Sequence, residues 1–220
     1  MAVISACSTK GGVGKTTTVI CLADAFARGG GSVAILDADP NSHVRAWRER
    51  APDDCRVELI SGLDETTILD AITNAAAKYQ LVFVDVEGAA TQTVTYAIAE
   101  SDLVLIPTKV SGMDLQEVFR TWEVVRRAEK MLRRPIAARA IFTQMAPLLS
   151  RVALHARSEI QAAGVPVLRT ELIHRAAYQA IHFTGQTPIH PGGDAKAARE
   201  IGEAMVEILE ILAAADAKAA

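Results

Sequence analysis

The chain has few cysteines, few aromatic residues and no excess of positive charge. Its three cysteines, Cys7, Cys21 and Cys55, form no CxxC pair, which argues against a disulfide framework and against a clustered thiolate metal site. Five histidines occur without HxxxH spacing, so they read as surface or core residues rather than metal ligands. A net charge of −3 argues against a globally basic nucleic-acid binder and confines any DNA contact to a local patch. No apolar run approaches the ~20 residues that cross a bilayer, and no leader is expected ahead of the first apolar run; the expected location is the cytoplasm. Aromatic residues are only 5% of the chain while half of it is hydrophobic. Such an aliphatic composition suits a parallel sheet covered by alanine-rich helices.

At 220 residues the chain can bury a full sheet between two helical layers. Short aliphatic runs alternate with longer helical stretches, which predicts an α/β fold, a doubly wound, mostly parallel sheet flanked by helices. Strands are expected over 2–7, 32–37, 57–60, 80–86, 102–107, 136–142 and 165–168. Helices are expected over 15–28, 64–78, 91–100, 113–134, 148–163, 171–183 and 194–215. Gly29-Gly30-Gly31 supplies a flexible end for the first helix, and Asp194 an N-cap for the last. No repeat, low-complexity tract or long linker interrupts the pattern, so a single domain over 1–220 is expected. The last helix puts Glu200, Glu203, Glu207 and Glu210 on its exposed side and Ile201, Met205, Ile208, Leu209 and Leu212 at core spacing. That is a packing helix rather than a lipid-facing one, so no membrane partner is expected.

Residues 10–18 read Lys-Gly-Gly-Val-Gly-Lys-Thr-Thr-Thr directly after the apolar run 2–7. Gly11, Gly12 and Gly14 permit backbone angles that side chains forbid, so the N–H groups of this loop, Val13 included, can converge on one anion. The helix that begins near Gly14 and continues through Thr17 adds its positive end to the same spot. Lys15 reaches the β- and γ-phosphates, and the Thr16 hydroxyl is placed to ligate Mg²⁺. A glycine-rich helix entry with two solvated lysines would account for the glycines but not for a contiguous match in strand–turn–helix context. The loop predicts a nucleoside triphosphate as ligand.

Acids end two of the expected strands. Asp37 and Asp39 stand at i and i+2 at the end of the second, pointing to one side beside the phosphate loop. Such acids can hold Mg²⁺-bound water and orient an attacking water, because phosphoryl transfer depends mainly on positioning. An Asp-Pro turn alone would explain Asp39-Pro40 but not their setting. Leu81-Val82-Phe83-Val84-Asp85 ends in a carboxylate at the edge where a magnesium-holding acid belongs. Gly88 frees the loop that follows it, and Glu87 reads as a solvated loop acid. No Asn-Lys-x-Asp occurs, so guanine-specific pairing has no candidate and ATP is the expected nucleotide.

The loop has Thr9 where the usual phosphate-loop pattern wants its first glycine, and it carries a second lysine, Lys10. In this it resembles the deviant phosphate loop of the ParA/MinD family of ATPases. Asp37-Ala38-Asp39-Pro40-Asn41, with Trp47 following, is similar to that family's D-x-D-P-Q segment, with Asn41 in place of Gln. Ser101-Asp102-Leu103-Val104-Leu105-Ile106-Pro107-Thr108, with Met113-Asp114-Leu115 after it, resembles a further segment of the short ParA proteins. Val86-Glu87 departs from the family's usual continuation after Asp85. The resemblance covers the first ~120 residues in order, and it implies several roles. Lys10 would cross a dimer interface to the partner's phosphates, and Asp39 would position the attacking water. Gln144 and Met145, with Thr143, would contact the adenine. Because the first strand begins at residue 2 or 3, no N-terminal helix-turn-helix domain is expected.

Among relatives, nitrogenase iron proteins and iron–sulfur carriers need paired interface cysteines, and MinD-type proteins end in a basic amphipathic helix. Neither feature occurs here. The resemblance thus implies a homodimer when ATP-bound, nonspecific DNA binding on the nucleoid, and a ParB-like or cargo-adaptor partner that stimulates hydrolysis. The work would be plasmid or chromosome partitioning. The same cycle can instead position a protein cargo or assist conjugative DNA transfer, and a nucleotide-gated switch with negligible turnover is the non-enzymatic alternative. Two basic surfaces are candidates for DNA. Arg151, Arg157, Arg169 and Arg175 form one, with Arg175 loosely similar to the site of a DNA-contacting arginine in longer ParA proteins. Arg120, Arg126, Arg127, Lys130, Arg133 and Arg134, late in the 113–134 helix, form the other, unless they only oppose the helix dipole. Contacts to phosphates would ignore sequence and weaken with salt.

Overall fold

A computed structural model describes residues 1–88, 91–148 and 150–219. Six strands, β1 (Ala2–Ala6), β2 (Val33–Ala38), β3 (Glu58–Ser61), β4 (Leu81–Val86), β5 (Leu103–Thr108) and β6 (Ala137–Phe142), form one sheet in the order β3-β2-β4-β1-β5-β6. Every pairing is parallel. The helices are α1 (Lys15–Arg28), α2 (His43–Arg48), α3 (Ile68–Ala76), α4 (Gln92–Ala99), α5 (Gly112–Leu132), α6 (Arg151–Ala162), α7 (Ala176–Thr184) and α8 (Ala195–Ala219). The doubly wound parallel sheet expected from the sequence is the one observed.

The sheet is buried on both faces because its strands are apolar on both. Leu36, Val82, Val84, Val104 and Ile106 pack with Ile68, Ile98, Val118 and Ile160 of α3 to α6. The alternate residues Ile35, Leu81, Phe83, Leu103 and Leu105 pack with Val19, Ile20, Trp47, Ile201 and Ile208 of α1, α2 and α8. This period-two division is the pleat made visible as two cores. Register brings Asp37 opposite Asp85 across β2 and β4, and Ala6 opposite Asp85 across β1 and β4. Two acids and the start of the phosphate loop therefore share one edge, where ligands bind in open α/β sheets.

Four expectations need correction. Residues 165–168 are not a strand: Val167 makes an isolated parallel bridge to Ala140. Ala140 donates to Pro166 O and Leu168 donates to Ala140 O, while Pro166 has no N–H to extend the ladder. Helix α7 starts at Ala176 rather than 171, because Leu172 and His174 continue backbone pairing with Phe142 and Met145. Helix α2, which periodicity did not predict, has only six residues, too few to show a helical repeat. Helix α6 starts at Arg151, where the Ser150 hydroxyl accepts from Ala153 N at 3.1 Å, a side-chain N-cap.

The exposed acidic face expected of α8 is also wrong in part. Glu200 and Glu207 are each only 7% exposed, whereas Leu209 and Val206 are exposed. The two carboxylates turn inward to satisfy the extended backbone that precedes α7. Glu207 accepts from Arg169 N at 2.8 Å and from Thr170 N at 3.2 Å. Glu200 accepts from Ile173 N at 3.1 Å and from the Tyr178 hydroxyl at 3.0 Å. Glu207→Ala is therefore expected to destabilise the fold by about 1–2 kcal/mol, since it leaves two partly buried N–H groups unmet. A urea melt measures it, and an unchanged midpoint would deny Glu207 this role.

Candidate nucleotide site

The phosphate loop joins β1 to α1. Gly12 and Gly14 adopt left-handed backbone angles, φ +72° and +87°, which favour glycine. Gly14 ends the loop as the N-cap of α1 without any side-chain cap. The first N–H groups of the helix, from Lys15 to Thr17, thus have no partner within the helix and face the loop. The loop is braced from β6: Thr143 donates to Val13 O at 2.7 Å and Gln144 Nε2 donates to Gly12 O at 3.0 Å. On the opposite side Gly88 approaches closely. A Cβ there would lie 3.1 Å from Lys15 Nζ and 3.2 Å from Gly11 N, so a larger residue would press the post-β4 loop off the phosphate loop by a few tenths of an ångström.

The two lysines are held differently. Lys15 is 7% exposed and its ammonium donates to the Lys10 carbonyl at 3.2 Å. Burial lowers its pKa, against the pull of Asp85 and Asp39. Lys10 is half-buried, and its ammonium lies 2.6 Å from Asp114 Oδ1 at the start of α5. Burial raises the pKa of Asp114, but Lys10 and Ser111 outweigh it, and the carboxyl sits below its ordinary value.

The acids also differ. Asp85 is fully buried and neither of its oxygens has a hydrogen-bond partner among the described residues. Burial pushes its pKa up to about 7, with the Thr16 hydroxyl lowering it and the Asp37 charge raising it. Asp37 is raised too, first by burial. It already accepts from Arg45 N at 3.1 Å and Asp39 N at 3.3 Å, so it anchors α2. Asp39 is half-buried, and its Oδ1 accepts from Asn41 N and Nδ2, each at 2.8 Å.

Two contiguous cavities meet at Gly14, Thr17 and His182. One is lined by Gly11, Gly12, Lys15, Thr16, Asp39, Asn41, His43, Glu87 and Gly88. The other, on the far side of Gly14, is walled by Thr143, Gln144, Leu172, His174, Tyr178 and Gln179. The first holds the phosphate loop, and the second opens beyond it toward α7. Of the two residues expected at the adenine, Gln144 lines the second cavity; Met145 does not, because it is buried and its backbone bridges to Ile173. Sequence reasoning missed the wall from 172 to 182, since those residues belong to no motif.

The chain is matched over residues 1–211 by the family model described as VirC1 protein. The chain belongs to the VirC1 family. It is similar to two Rhizobium radiobacter proteins. Protein ParA is 31% identical over 189 residues, 84% of each chain. Protein virC1 is 32% identical over 192 residues, covering 84% of this chain and 82% of that one. Among solved structures, a putative plasmid partition protein from Borrelia burgdorferi B31 bound to AMPPNP has a TM-score of 0.70 at 15% identity, covering 95% of this chain and 98% of that one. The resemblance to the ParA/MinD family is therefore borne out.

The expected DNA surfaces look different in three dimensions. Arg157 pairs with Glu171, Arg169 with Glu207 and Glu210, and Arg175 with Glu200 at 2.5 Å. Arg151 is exposed and has no ion pair among the described residues. In the other group, Arg120, Arg126 and Arg127 pair with glutamates of their own helix. Arg134 donates to the Ser101 and Ala99 carbonyls, while Lys130 and Arg133 are exposed. Among the described residues no helix is long and apolar enough to cross a membrane.

Proposed function

We propose that this protein is an ATP-dependent dimerising ATPase that binds DNA nonspecifically and drives DNA partitioning with a hydrolysis-stimulating partner. The observation that carries the reading is the convergence of Lys15, Thr16, Asp39 and the α1 N–H groups on one cleft, with unpartnered Asp85 behind it. Lys15, already desolvated, meets the β- and γ-phosphates with little hydration left to lose. Loop and helix N–H groups take the remaining phosphate oxygens. The AMPPNP bound by the Borrelia protein supports a nucleotide in this position.

The residues present fit Mg²⁺. The Asp85 carboxylate is buried without a partner, which is costly unless a cation or proton accompanies it. Thr16 and Asp85, with Asp37 behind them, would hold the ion. It would supply charge neutralisation on the phosphate oxygens. Among the described residues no three His, Cys, Asp or Glu side chains form a metal cage, which accords with an ion held mainly by phosphates, water and one or two carboxylates. Asp39 orients the attacking water from the open side of the cleft, and Lys10 acts on the partner subunit's phosphates.

For DNA, Arg151 is the strongest of the proposed contacts, because Arg157, Arg169 and Arg175 are occupied by glutamates. One such patch in a chain of net charge −3 binds weakly, and dimerisation doubles it. Gel shifts with ATP and with ADP test this reading. A shift with ATP alone, lost steeply as salt rises and weakened by Arg151→Ala, is expected. No ATP-dependent shift at low salt would replace DNA with a protein cargo.

A further inference from the structure

Trp47 follows the Asp37–Asn41 segment, and Gly185 lies 138 residues later, yet the two meet in the core. The Trp47 side chain is 1% exposed, and its indole N–H donates to the Gly185 carbonyl at 2.9 Å in a buried contact. Gly185 closes α7 in the left-handed conformation, φ +72°. A Cβ there would stand 1.9 Å from the Arg50 carbonyl oxygen. The C-terminal ends of α2 and α7 therefore touch backbone to backbone, with no side chain between them to give way.

The other end of α2 is tied to the phosphate side. Asp37 accepts from Arg45 N at 3.1 Å in the first turn of α2. Ser42 N donates to the Asp39 carbonyl at 2.8 Å, and Asn41 holds the Asp39 carboxylate. Meanwhile α7 carries Tyr178, Gln179 and His182 into the base-side cavity. His182 also lines the phosphate side, with its ring centroid 6.4 Å from that of His43 on α2. A chain of contacts, buried at Trp47–Gly185 and more exposed toward Asn41, thus runs from the far-cavity wall through α7 and α2 to the Asp39 loop.

We propose that α2 and α7 move as one rigid unit, pinned by the Trp47–Gly185 hydrogen bond, through which occupancy of the base-side cavity positions Asp39. Trp47 and Gly185 are positioning residues in this arrangement; neither touches the nucleotide. The proposal rests on the reading of Asp39 as the water-orienting acid. Its consequence is that a base in the far cavity accelerates cleavage at the γ-phosphate, beyond holding the nucleotide in place. A coupling of this kind needs stiffness, because small displacements of a positioning group cost large factors in rate.

Trp47→Phe keeps an aromatic ring in the core, though a smaller one, and removes the N–H, leaving the Gly185 carbonyl unmet; the tripolyphosphate arm separates the lost hydrogen bond from a general loss of packing. Turnover and affinity are compared in the full chain with ATP and with inorganic tripolyphosphate, which has no base. The wild-type chain is expected to cleave ATP faster than tripolyphosphate. In the variant, ATP turnover should fall by about tenfold while ATP affinity stays within about twofold, and tripolyphosphate turnover should not change. Equal losses with both substrates, an unchanged ratio, or a wild-type chain indifferent to the base would overturn the coupling. A second readout needs no hydrolysis. The chain has two tryptophans, so its ¹H–¹⁵N spectrum has two indole signals, assigned with Trp122→Phe. ADP should shift the Trp47 signal and Mg-pyrophosphate should not; equal shifts overturn the proposal. An ADP-specific shift in a chain that never hydrolyses ATP would remove the hydrolysis reading and leave the link between α7 and α2 standing.

Discussion

Lys10→Ala is expected to bind ATP within about twofold of the wild-type affinity and to lose stimulated hydrolysis by roughly a thousandfold or more, as for a charge supplied in trans. Lys15 is buried against the loop, whereas the Lys10 ammonium is drawn away to Asp114, 2.6 Å distant. It adds little to the phosphate site of its own chain in this state. Its contribution must come after it leaves Asp114, and a triphosphate on a second subunit offers a richer cluster of negative charge than one carboxylate. Light scattering supplies the companion measurement: wild-type chain should dimerise in ATP and not in ADP, and the variant should remain monomeric in both. Loss of ATP affinity in the variant would instead make Lys10 a ligand of its own nucleotide.

Asp39→Ala should have the opposite signature, with dimers that form in ATP and persist. Its turnover is expected to fall by roughly 10²- to 10⁴-fold, the usual contribution of a positioned acid or base, with ATP affinity nearly unchanged. The geometry favours this split because Asp39 lines the open side of the cleft, whereas Asp85 lies buried beneath it. Single-turnover hydrolysis and an ATP titration of the same variant test it. If affinity drops along with rate, Asp39 belongs to the magnesium shell and Asp37 or Glu87 becomes the better water-positioning candidate.

The phosphate loop was legible in the sequence because its chemistry is local: glycines, lysine and threonine act within nine consecutive residues. The terminal acids of β2 and β4 were legible for a related reason, since strand ends in a parallel sheet gather at one edge and register sets Asp37 beside Asp85. The base wall was not. Leu172, His174, Tyr178 and His182 line a cavity only after residues 171–175 stay extended instead of joining α7. That outcome depends on carboxylates 27 to 38 positions downstream. Amphipathic reasoning put Glu200 and Glu207 in solvent because it assigns charge to the outside; it has no means of seeing the unpaired N–H groups that draw them inward. The ion pairs of the arginines were hidden for a similar reason, since a basic residue in a sequence has no visible partner, and Arg175 has Glu200. Helix α2 was too short to carry a periodic signal at all.

The inward turn of Glu200 and Glu207 bears on how the protein is made. The phosphate loop is synthesised well before the side chains that hold the backbone walling the far cavity, Glu200 and Glu207. At about 5–20 residues per second, Glu200 emerges on the order of ten to forty seconds after Gly14. The strand leading into the loop also waits, because β1 pairs only with β4 and β5. A ribosome-bound chain that has passed residue 108 can already fold the loop between its neighbouring strands, yet it has nothing to fasten the far wall. If the far cavity takes the base, as proposed, tight nucleotide binding is expected to come late in synthesis, and a chain released before α8 is expected to carry an intact phosphate motif with little hold on the nucleotide.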